Sequence, residues 1–339
     1  MSETHEERNA TIEEQVTDMR IEPCILTTVC LPVDERYSLM EDAFRGIIRH
    51  SVSRGFKNLY LFGTAGEGYA LTDAMFKRSA SIFFEEMRSG TGLCQLGIIA
   101  LSLPQIKERI ETGLEIGYRS FQISLPSWGR LNDREMYAFF DAILGAYPQA
   151  QFLHYNIMRG LRKLTGKEYS RIAADHRNLV ATKCGAKSML EDMDLMTNAP
   201  ELCHFMTEMD YAYASQQGRC GLLAGYSTLS YEKARGFFEA GQNGDFNELA
   251  AMSTEMYKVL MLIIEGMTEG QHMDGAYDKI FHKAIMPDFP LRLLPPYQGT
   301  SDEEFRGIMK RLRLEFPSWM EHPSDPESPM CGLGTTSLS

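Results

Sequence analysis

The chain has 339 residues, of which 44% are hydrophobic, and its formal net charge is −12. This length fits two small domains or one large α/β barrel with additional helices. An acidic chain without a basic patch is a poor partner for nucleic acid or an anionic membrane, and no run of 18 apolar residues predicts a membrane span. Residues 1–20 read as a polar arm, without the basic start and apolar stretch of a signal peptide.

From residue 21, short apolar runs alternate with stretches of helical spacing, such as "LMEDAFRGIIRHSVSRG" and "DREMYAFFDAILGAY". Continuous apolar runs separated by helices indicate parallel strands covered by helices. Eight such units are the number that closes a (β/α)8 barrel. The runs are "PCILTTV" from Pro23, "NLYLFGT" from Asn58, "LCQLGIIA" from Leu93, "RSFQIS" from Arg119, "AQFLHYN" from Ala150, "LVATK" from Leu179, "LCHFMTE" from Leu202 and "CGLLAG" from Cys220.

The competing architecture is a doubly wound open sheet, which usually carries a glycine-rich fingerprint after its first strand, and "TTVCLPVD" is not one. We therefore predict an α/β fold, a TIM barrel with its core over residues 21–228. The last barrel helix and a C-terminal helical extension are predicted over residues 229–320. The tail over residues 321–339 is rich in Pro, Gly and Ser and is predicted to be disordered.

In such a barrel the active site lies where the strands end. Three sequence features lie at predicted strand ends. They are the turn "GTAGEG" (Gly63–Gly68) after the second apolar run, Tyr155 at the end of the fifth run, and Lys183 at the end of the sixth run. Because the fifth and sixth strands are neighbours in the predicted barrel, Tyr155 and Lys183 are expected side by side.

Lys183 has two interpretations, a solvated strand end or a reactive amine. A free lysine has a pKa near 10.4, so only about one in 2,500 is neutral at pH 7. Apolar neighbours disfavour the ammonium form. A neutral amine can attack a ketone to form a Schiff base, which acts as an electron sink for bonds next to the carbonyl, with Tyr155 as the proton shuttle.

The "GTAGEG" turn is made of small residues between a strand and a helix. Its backbone N–H groups can hold a carboxylate, as a 2-keto acid carries next to its ketone. The structural alternative is a tight turn in which Glu67 caps or pairs locally.

These residues resemble one family. "GTAGEGYALT", "FLHYN" and "LVATK" are similar to the glycine-rich motif, the strand-five tyrosine motif and the Schiff-base strand of the N-acetylneuraminate lyase and dihydrodipicolinate synthase superfamily. The 28-residue step from Tyr155 to Lys183 matches the family spacing, and "FPLRLLPPY" resembles its C-terminal segment. The resemblance covers about residues 22–316.

The resemblance implies class I aldolase chemistry with Lys183 as the imine lysine, Tyr155 as the proton shuttle and Thr64 in the catalytic set. It also implies that Gly63 and Ala65 hold the substrate carboxylate. "GLLAGYSTLS" stands where the family has its eighth-strand segment, which puts Leu223 and Gly225 among the substrate-binding positions.

Several departures argue against dihydrodipicolinate synthase itself. Ala65 stands where the family commonly has a hydroxyl residue, and Met158 replaces the proline after the Tyr-Asn pair. Trp128 replaces the synthase's second tyrosine, and the synthase's substrate-binding arginine falls at Gly160, with Arg159 and Arg162 only adjacent.

Trp128 is either a packing or subunit-interface aromatic or a pocket wall that stacks on an extended substrate. The hydratase-aldolase branch, which cleaves aromatic ylidene-pyruvates, resembles this chain in having a tryptophan in that region. We therefore expect a Schiff-base lyase, aldolase or dehydratase acting on pyruvate or a longer 2-keto acid. The alternatives are that hydratase-aldolase, a true dihydrodipicolinate synthase, or an inactive barrel that only binds 2-keto acids.

The seven cysteines are scattered without a C-x-x-C pair, which predicts reduced thiols and a cytoplasmic location. The eight histidines show no paired metal spacing, so neither a metal nor another cofactor is expected. The expected partners are a small 2-keto acid and further copies of the chain, in a dimer or tetramer that the family resemblance implies.

Overall fold

The structure, a computed structural model, describes residues 21–185, 188–267 and 272–320, so the predicted polar arm and the predicted disordered tail lie outside the described residues. Within the described ranges, strands and helices alternate eight times. The strands are β1 (Ile25–Val29), β2 (Asn58–Leu61), β3 (Cys94–Ile98), β4 (Ser120–Ile123), β5 (Gln151–Asn156), β6 (Leu179–Cys184), β7 (Cys203–Met206) and β8 (Cys220–Ala224). The helices that follow them are α1 (Glu41–Ser53), α2 (Asp73–Met87), α3 (Leu103–Ile116), α4 (Asp133–Leu144), α5 (Gly166–Asp175), α6 (Met189–Asn198), α7 (Glu208–Ala214) and α8 (Tyr231–Asn243).

The eight strands pair in parallel and in chain order, and β8 closes onto β1. Each predicted apolar run contains one strand, so the prediction of a TIM barrel is confirmed and the open sheet is excluded. In the register of β5 and β6, Tyr155 lies directly beside Lys183, and Lys183 lies beside Phe205 on β7.

The apolar core has two parts. The larger part packs the outer faces of the strands against the helices. The smaller part fills the barrel interior, because alternate residues of a strand point to opposite faces. Interior side chains are Leu26, Tyr60, Leu153, Ala181, Phe205 and Leu223.

Many barrel helices begin at side-chain caps that are visible in the sequence. Asn132 caps α4 and Thr165 caps α5, each with a glutamate three residues later that bonds back to the cap. This reciprocal arrangement satisfies backbone N–H groups that a helix start leaves unpaired. It fixes where each helix leaves the loop at the mouth of the barrel.

Three further helices follow the eighth unit: α9 (Phe246–Glu265), α10 (Asp274–Ile285) and α11 (Asp302–Glu315). They agree with the helical segments of the predicted C-terminal extension. None of the helices in the described residues combines the length and apolar character that crossing a membrane requires.

Helix α10 packs over the carboxyl ends of β1 and β2. Lys279 Nζ lies 2.6 Å from Glu67 Oε2, and both side chains are fully buried. The other oxygen of Glu67 accepts a hydrogen bond from the backbone N–H of Leu294 at 2.5 Å. His282 Nε2 accepts one from the backbone N–H of Cys30 at 3.2 Å. These contacts tie the C-terminal extension to the "GTAGEG" turn.

Replacing Lys279 by methionine should destabilise the fold strongly. The Glu67 carboxylate would stay buried without its cation, and removing one partner of a buried ion pair costs about 3–5 kcal/mol. Urea unfolding followed by circular dichroism measures the loss. Lys310→Met, at an exposed position of α11, is the control and should change stability by less than about 0.5 kcal/mol. Equal unfolding midpoints for the two variants would contradict the importance of the ion pair.

Candidate active site

The carboxyl ends of β2, β5 and β6 bring three predicted catalytic side chains together. Lys183 Nζ donates a hydrogen bond of 2.6 Å to Tyr155 Oη. Tyr155 Oη also lies 3.2 Å from Thr64 Oγ1. All three residues are buried, with Lys183 8% exposed. A primary amine, a phenol and a hydroxyl thus form one chain of hydrogen bonds at the mouth of the barrel.

The surroundings of the amine are largely apolar. Lys183 extends from the interior face of β6, next to the buried Phe205 ring. Gly221 on β8 makes room for that ring, since a Cβ there would lie 2.5 Å from it. Lys183 is therefore held inside the barrel mouth, with 8% of its surface exposed and its Nζ 4.0 Å from the centre of the Tyr155 ring.

Cys184 follows Lys183 directly and is fully enclosed by protein. Its Sγ contacts Thr182 Oγ1 at 3.2 Å and the Asn156 amide at 4.0 Å. Burial raises the pKa of the Cys184 thiol to about 11. The thiol therefore stays protonated near neutral pH and is a poor nucleophile.

The backbone is strained immediately before the "GTAGEG" turn and within it, at two residues that are not glycine. Phe62 and Glu67 adopt positive φ angles of 67° and 56°, which side chains rarely tolerate. The turn also folds tightly onto itself, because a Cβ at Gly68 would lie 2.6 Å from the Phe62 carbonyl oxygen and one at Gly66 would lie 2.9 Å from the Phe62 nitrogen. Such strain persists where the surrounding contacts hold it, often at ligand sites.

This turn leaves backbone donors without protein partners. Its own hydrogen bonds run from the N–H of Glu67 to Thr64 and from that of Gly68 to Gly63. Across the part of the chain that the structure describes, no hydrogen bond uses the N–H of Thr64 or of Ala65, although both residues are buried. Buried N–H groups without a partner are rare in folded proteins, and adjacent ones suit an anion.

A cavity of about 520 Å³ opens toward solvent beside Thr64, whereas Gly63 and Ala65 are not among the residues that line it. Thr64 and Tyr155 stand on its wall, and Lys183 lies one hydrogen bond further in. The size is typical of a small-molecule site. Much of the remaining wall is apolar: Leu71, Ile99, Ala100, Leu101, Leu125, Ile157, Gly160 and Met273.

Two arginines also reach the cavity wall, with different partners. Arg109 is buried and donates to the carbonyl oxygens of Gly68 at 3.2 Å and Ile99 at 2.5 Å, so it supports the end of the turn. Arg159 is half exposed and pairs with Asp274 at 2.9 Å. Arg162, the other arginine near Gly160, pairs with Asp133 and Glu168 and is not on the cavity wall.

The remaining predicted substrate-binding residues occupy different places. Leu223 points into the barrel interior. Gly225 follows β8 and donates its N–H to Glu208 Oε1 at 2.7 Å. Trp128 is 88% exposed and is not among the residues that line the cavity, although its neighbour Ser127 is. In this chain, therefore, Trp128 does not form the pocket wall that one of its two sequence interpretations expected.

Sequence reasoning missed residues that reach the site from other segments. Tyr69 lines the cavity with a buried hydroxyl that has no partner among the described residues, and its ring packs edge-on against Tyr297 at 5.3 Å.

Asp278 on α10 interacts electrostatically with Lys183. Burial, together with the nearby Asp274 carboxylate, raises the pKa of Asp278 to about 8 although Lys183 lowers it. A signal was available, since Asp274, Asp278 and His282 recur every four residues on a helix expected to pack on the barrel.

Comparisons with known proteins agree with this geometry. A profile of the Dihydrodipicolinate synthetase family matches residues 23–270. The chain belongs to this family. It is therefore an enzyme of the lyase type whose chemistry is that of the Schiff-base aldolases. The resemblance described from the sequence motifs is confirmed.

Individual relatives are distant. The 4-hydroxy-tetrahydrodipicolinate synthase of Sulfurimonas denitrificans is 22% identical over 236 residues, which are 69% of this chain and 79% of that protein. The N-acetylneuraminate lyase of Salmonella agona is 22% identical over 285 residues, 78% of this chain and 91% of that protein. Relatives with both activities are therefore similarly remote, and neither sets the substrate of this chain.

Solved structures show the same fold. A crystal structure of CdNal from Clostridium difficile in complex with mannosamine superposes with a TM-score of 0.76 at 16% identity, covering 88% of this chain and all of that chain. Dihydrodipicolinate synthase from Aquifex aeolicus gives a TM-score of 0.75 at 14% identity, covering 86% and 97% of the two chains.

Proposed function

We propose that Lys183 forms a Schiff base with the ketone carbon of pyruvate or a longer 2-keto acid, and that the imine serves aldol cleavage or dehydration. The observation that carries this proposal is the buried hydrogen-bond chain from Lys183 Nζ through Tyr155 Oη to Thr64 Oγ1, with steps of 2.6 and 3.2 Å. It places an amine nucleophile in contact with a group that can move protons.

Imine formation then proceeds in balanced steps. The neutral Lys183 amine attacks C2, and the ketone's π electrons move to oxygen, which takes the Tyr155 proton. The Tyr155 phenolate removes a proton from the new C–N nitrogen, giving the carbinolamine. Tyr155 then protonates the C2 hydroxyl, which leaves as water while the nitrogen lone pair forms the C=N bond. The products are the protonated imine, an iminium, and the Tyr155 phenolate. Thr64 holds the phenol in place by its hydrogen bond.

In this proposal the substrate carboxylate binds to backbone N–H groups of the "GTAGEG" turn. The N–H groups of Thr64 and Ala65 have no partner among the described residues, and the glycine at position 63 leaves room for the Tyr60 ring beside the turn. Ala65 offers no hydroxyl, so capture depends on backbone donors. Hydrogen bonds to charged groups contribute about 1.5–3 kcal/mol each. The two backbone donors together can therefore hold the 2-keto acid next to Lys183.

The outer part of the cavity favours a substrate with a longer, apolar or aromatic distal portion. Aliphatic side chains from several segments line the cavity, beside the uncharged polar Gln105, Ser124 and Ser127. The cation of Arg159 is already paired with Asp274, so a second carboxylate would have to compete with that aspartate. This supports a hydratase-aldolase type of substrate over aspartate semialdehyde, the synthase's second substrate. Association into a dimer or tetramer stays a prediction.

The first test is covalent trapping. Incubation with pyruvate and borohydride should add the reduced pyruvyl group to Lys183, read by peptide mass spectrometry. Lys183→Ala should abolish labelling, because the amine is gone, whereas Lys167→Ala, at an exposed position of α5, should not. Labelling at a different lysine, or none with any 2-keto acid tried, would overturn the proposed mechanism.

The second test concerns the phenol of Tyr155. Tyr155→Phe should lower kcat by roughly 10²–10⁴, the usual loss when a general acid–base is removed, with an unchanged circular dichroism spectrum. Tyr257→Phe, at an exposed position of α9, is the matched control. Near wild-type turnover in Tyr155→Phe would remove this residue from the catalytic set.

The third test concerns the distal portion of the substrate. A panel of aldehydes offered with pyruvate should give measurable aldol product with aromatic aldehydes and little condensation with aspartate semialdehyde. Leu101 lies on the cavity wall and is expected to contact the distal portion of the substrate. Leu101→Ala should therefore raise KM for the aromatic aldehyde about three- to tenfold, since each buried methylene contributes about 0.8 kcal/mol.

Trp128→Ala is the contrasting variant, because its side chain lies outside the cavity. It should leave that KM within about twofold of wild type. A large KM effect of Trp128→Ala without one of Leu101→Ala would restore Trp128 as the pocket wall. Efficient condensation with aspartate semialdehyde would identify a synthase instead.

A further inference from the structure

Helix α10 lies over the barrel mouth with one face against the ends of β1 and β2. A Cβ at Gly275 would lie 3.0 Å from the Ala65 carbonyl oxygen, which shows how closely the helix approaches the turn. Lys279 pairs with Glu67, and His282 accepts a hydrogen bond from Cys30. Asp278 falls on this same face, since residues three and four apart on a helix are neighbours.

The strand order places this face across the barrel from Lys183. In a closed barrel of eight consecutive strands, β1 and β2 stand opposite β5 and β6. The carboxyl group of Asp278 interacts electrostatically with Lys183 on β6, Tyr60 on β2 and Cys30 after β1. It also faces Glu208 on α7 and Asp274 on its own helix. Because the first three of these partners belong to β6, β2 and the segment after β1, Asp278 lies on the side of α10 that faces the barrel mouth.

The chemistry of an imine calls for a proton-transfer group at that location. Tyr155 sits beside Lys183 on the neighbouring strand, where it serves the nitrogen and C2. Forming the enamine needs a different event, removal of a proton from C3. We propose that Asp278 takes the proton from C3 of the Lys183 imine and returns it.

The step balances without a co-reactant. The Asp278 carboxylate accepts the C3 proton, the C–H electron pair forms the C2=C3 bond, and the iminium π electrons move to nitrogen. The products are a neutral enamine and a neutral Asp278 acid, and the reverse step restores the imine. A base whose pKa lies near the working pH is best suited to move a proton in both directions. The proposal rests on the proposed function, because it requires the imine at Lys183.

Deuterium exchange into pyruvate isolates this step and needs no distal substrate. The enzyme is incubated with pyruvate in deuterium oxide, methyl exchange is followed by NMR, and the rate is divided by the amount of imine trapped with borohydride in a parallel sample. Asp278→Asn should still label Lys183 but lose exchange by about 10²-fold or more. Asp278→Glu should recover part of the rate, and Asp288→Asn, at an exposed position after α10, should match wild type.

The outcomes separate the two proposals. Absence of trapped pyruvate in wild type would overturn the proposed function and this one with it. Trapping in wild type and in Asp278→Asn, with exchange unchanged in the variant, would overturn only the role of Asp278. A folded Asp278→Asn that no longer traps pyruvate would also overturn it, since the residue would then act before the imine.

The pH dependence gives a readout that does not require the variant to fold. The carboxylate is the active form, so exchange per trapped imine in wild type should rise with pH and level off above about 8, the pKa to which burial raises Asp278. Dividing by the trapped imine removes any effect of pH on the formation of the imine. A flat profile between pH 6 and pH 9 would overturn the role of Asp278.

Stability gives a second readout. The folded chain holds a proton on Asp278 that the unfolded chain, with an aspartate pKa near 3.9, releases. Wild type therefore loses stability relative to Asp278→Asn as the pH rises from about 4 to about 8. The Tm difference between variant and wild type should grow over that window and then level off, and a constant difference would contradict a buried acid at this position.

Discussion

The hydrogen bond between Lys183 Nζ and Tyr155 Oη is the contact on which the rest of the site depends. It exists because β5 and β6 are neighbours and because their register sets the two residues side by side. Parallel strands end at the same edge of the barrel, so the same geometry brings Thr64 from β2 within reach of the phenol. The barrel thus brings together the proposed nucleophile, proton shuttle and orienting hydroxyl from three separate segments, none of them close in sequence.

The buried Glu67–Lys279 pair has a complementary effect. Glu67 lies in the turn that is proposed to bind the substrate carboxylate, and Lys279 belongs to a helix that follows the barrel. The pair therefore couples the shape of this turn to the position of α10. The C-terminal extension accordingly acts as part of the site. The extension contacts the strained turn and places Asp278 at the barrel mouth. Its Asp274 forms an ion pair with Arg159.

Much of the barrel could be predicted because its signals are local. Apolar runs of strand length alternate with helical spacing, and eight repeats determine closure. Tyr155 and Lys183 could be paired because each ends a run and the runs are consecutive. The four-residue spacing of Asp274, Asp278 and His282 puts these residues on one face of a helix, but it does not say that this face covers the barrel mouth. The pairing of Arg159 with Asp274 joins residues 115 positions apart and depends on the same packing. The orientation of Trp128 depends on its loop, and sequence alone left both of its interpretations open.

A crystal structure of the enzyme grown or soaked with pyruvate would test imine formation at Lys183 most directly. Continuous density is expected from Lys183 Nζ to C2, with a carboxylate oxygen about 2.7–3.2 Å from the backbone nitrogens of Thr64 and Ala65 and Tyr155 Oη next to C2. Pyruvate held by Arg159 in the outer cavity, with Lys183 unmodified and the turn vacant, would contradict it.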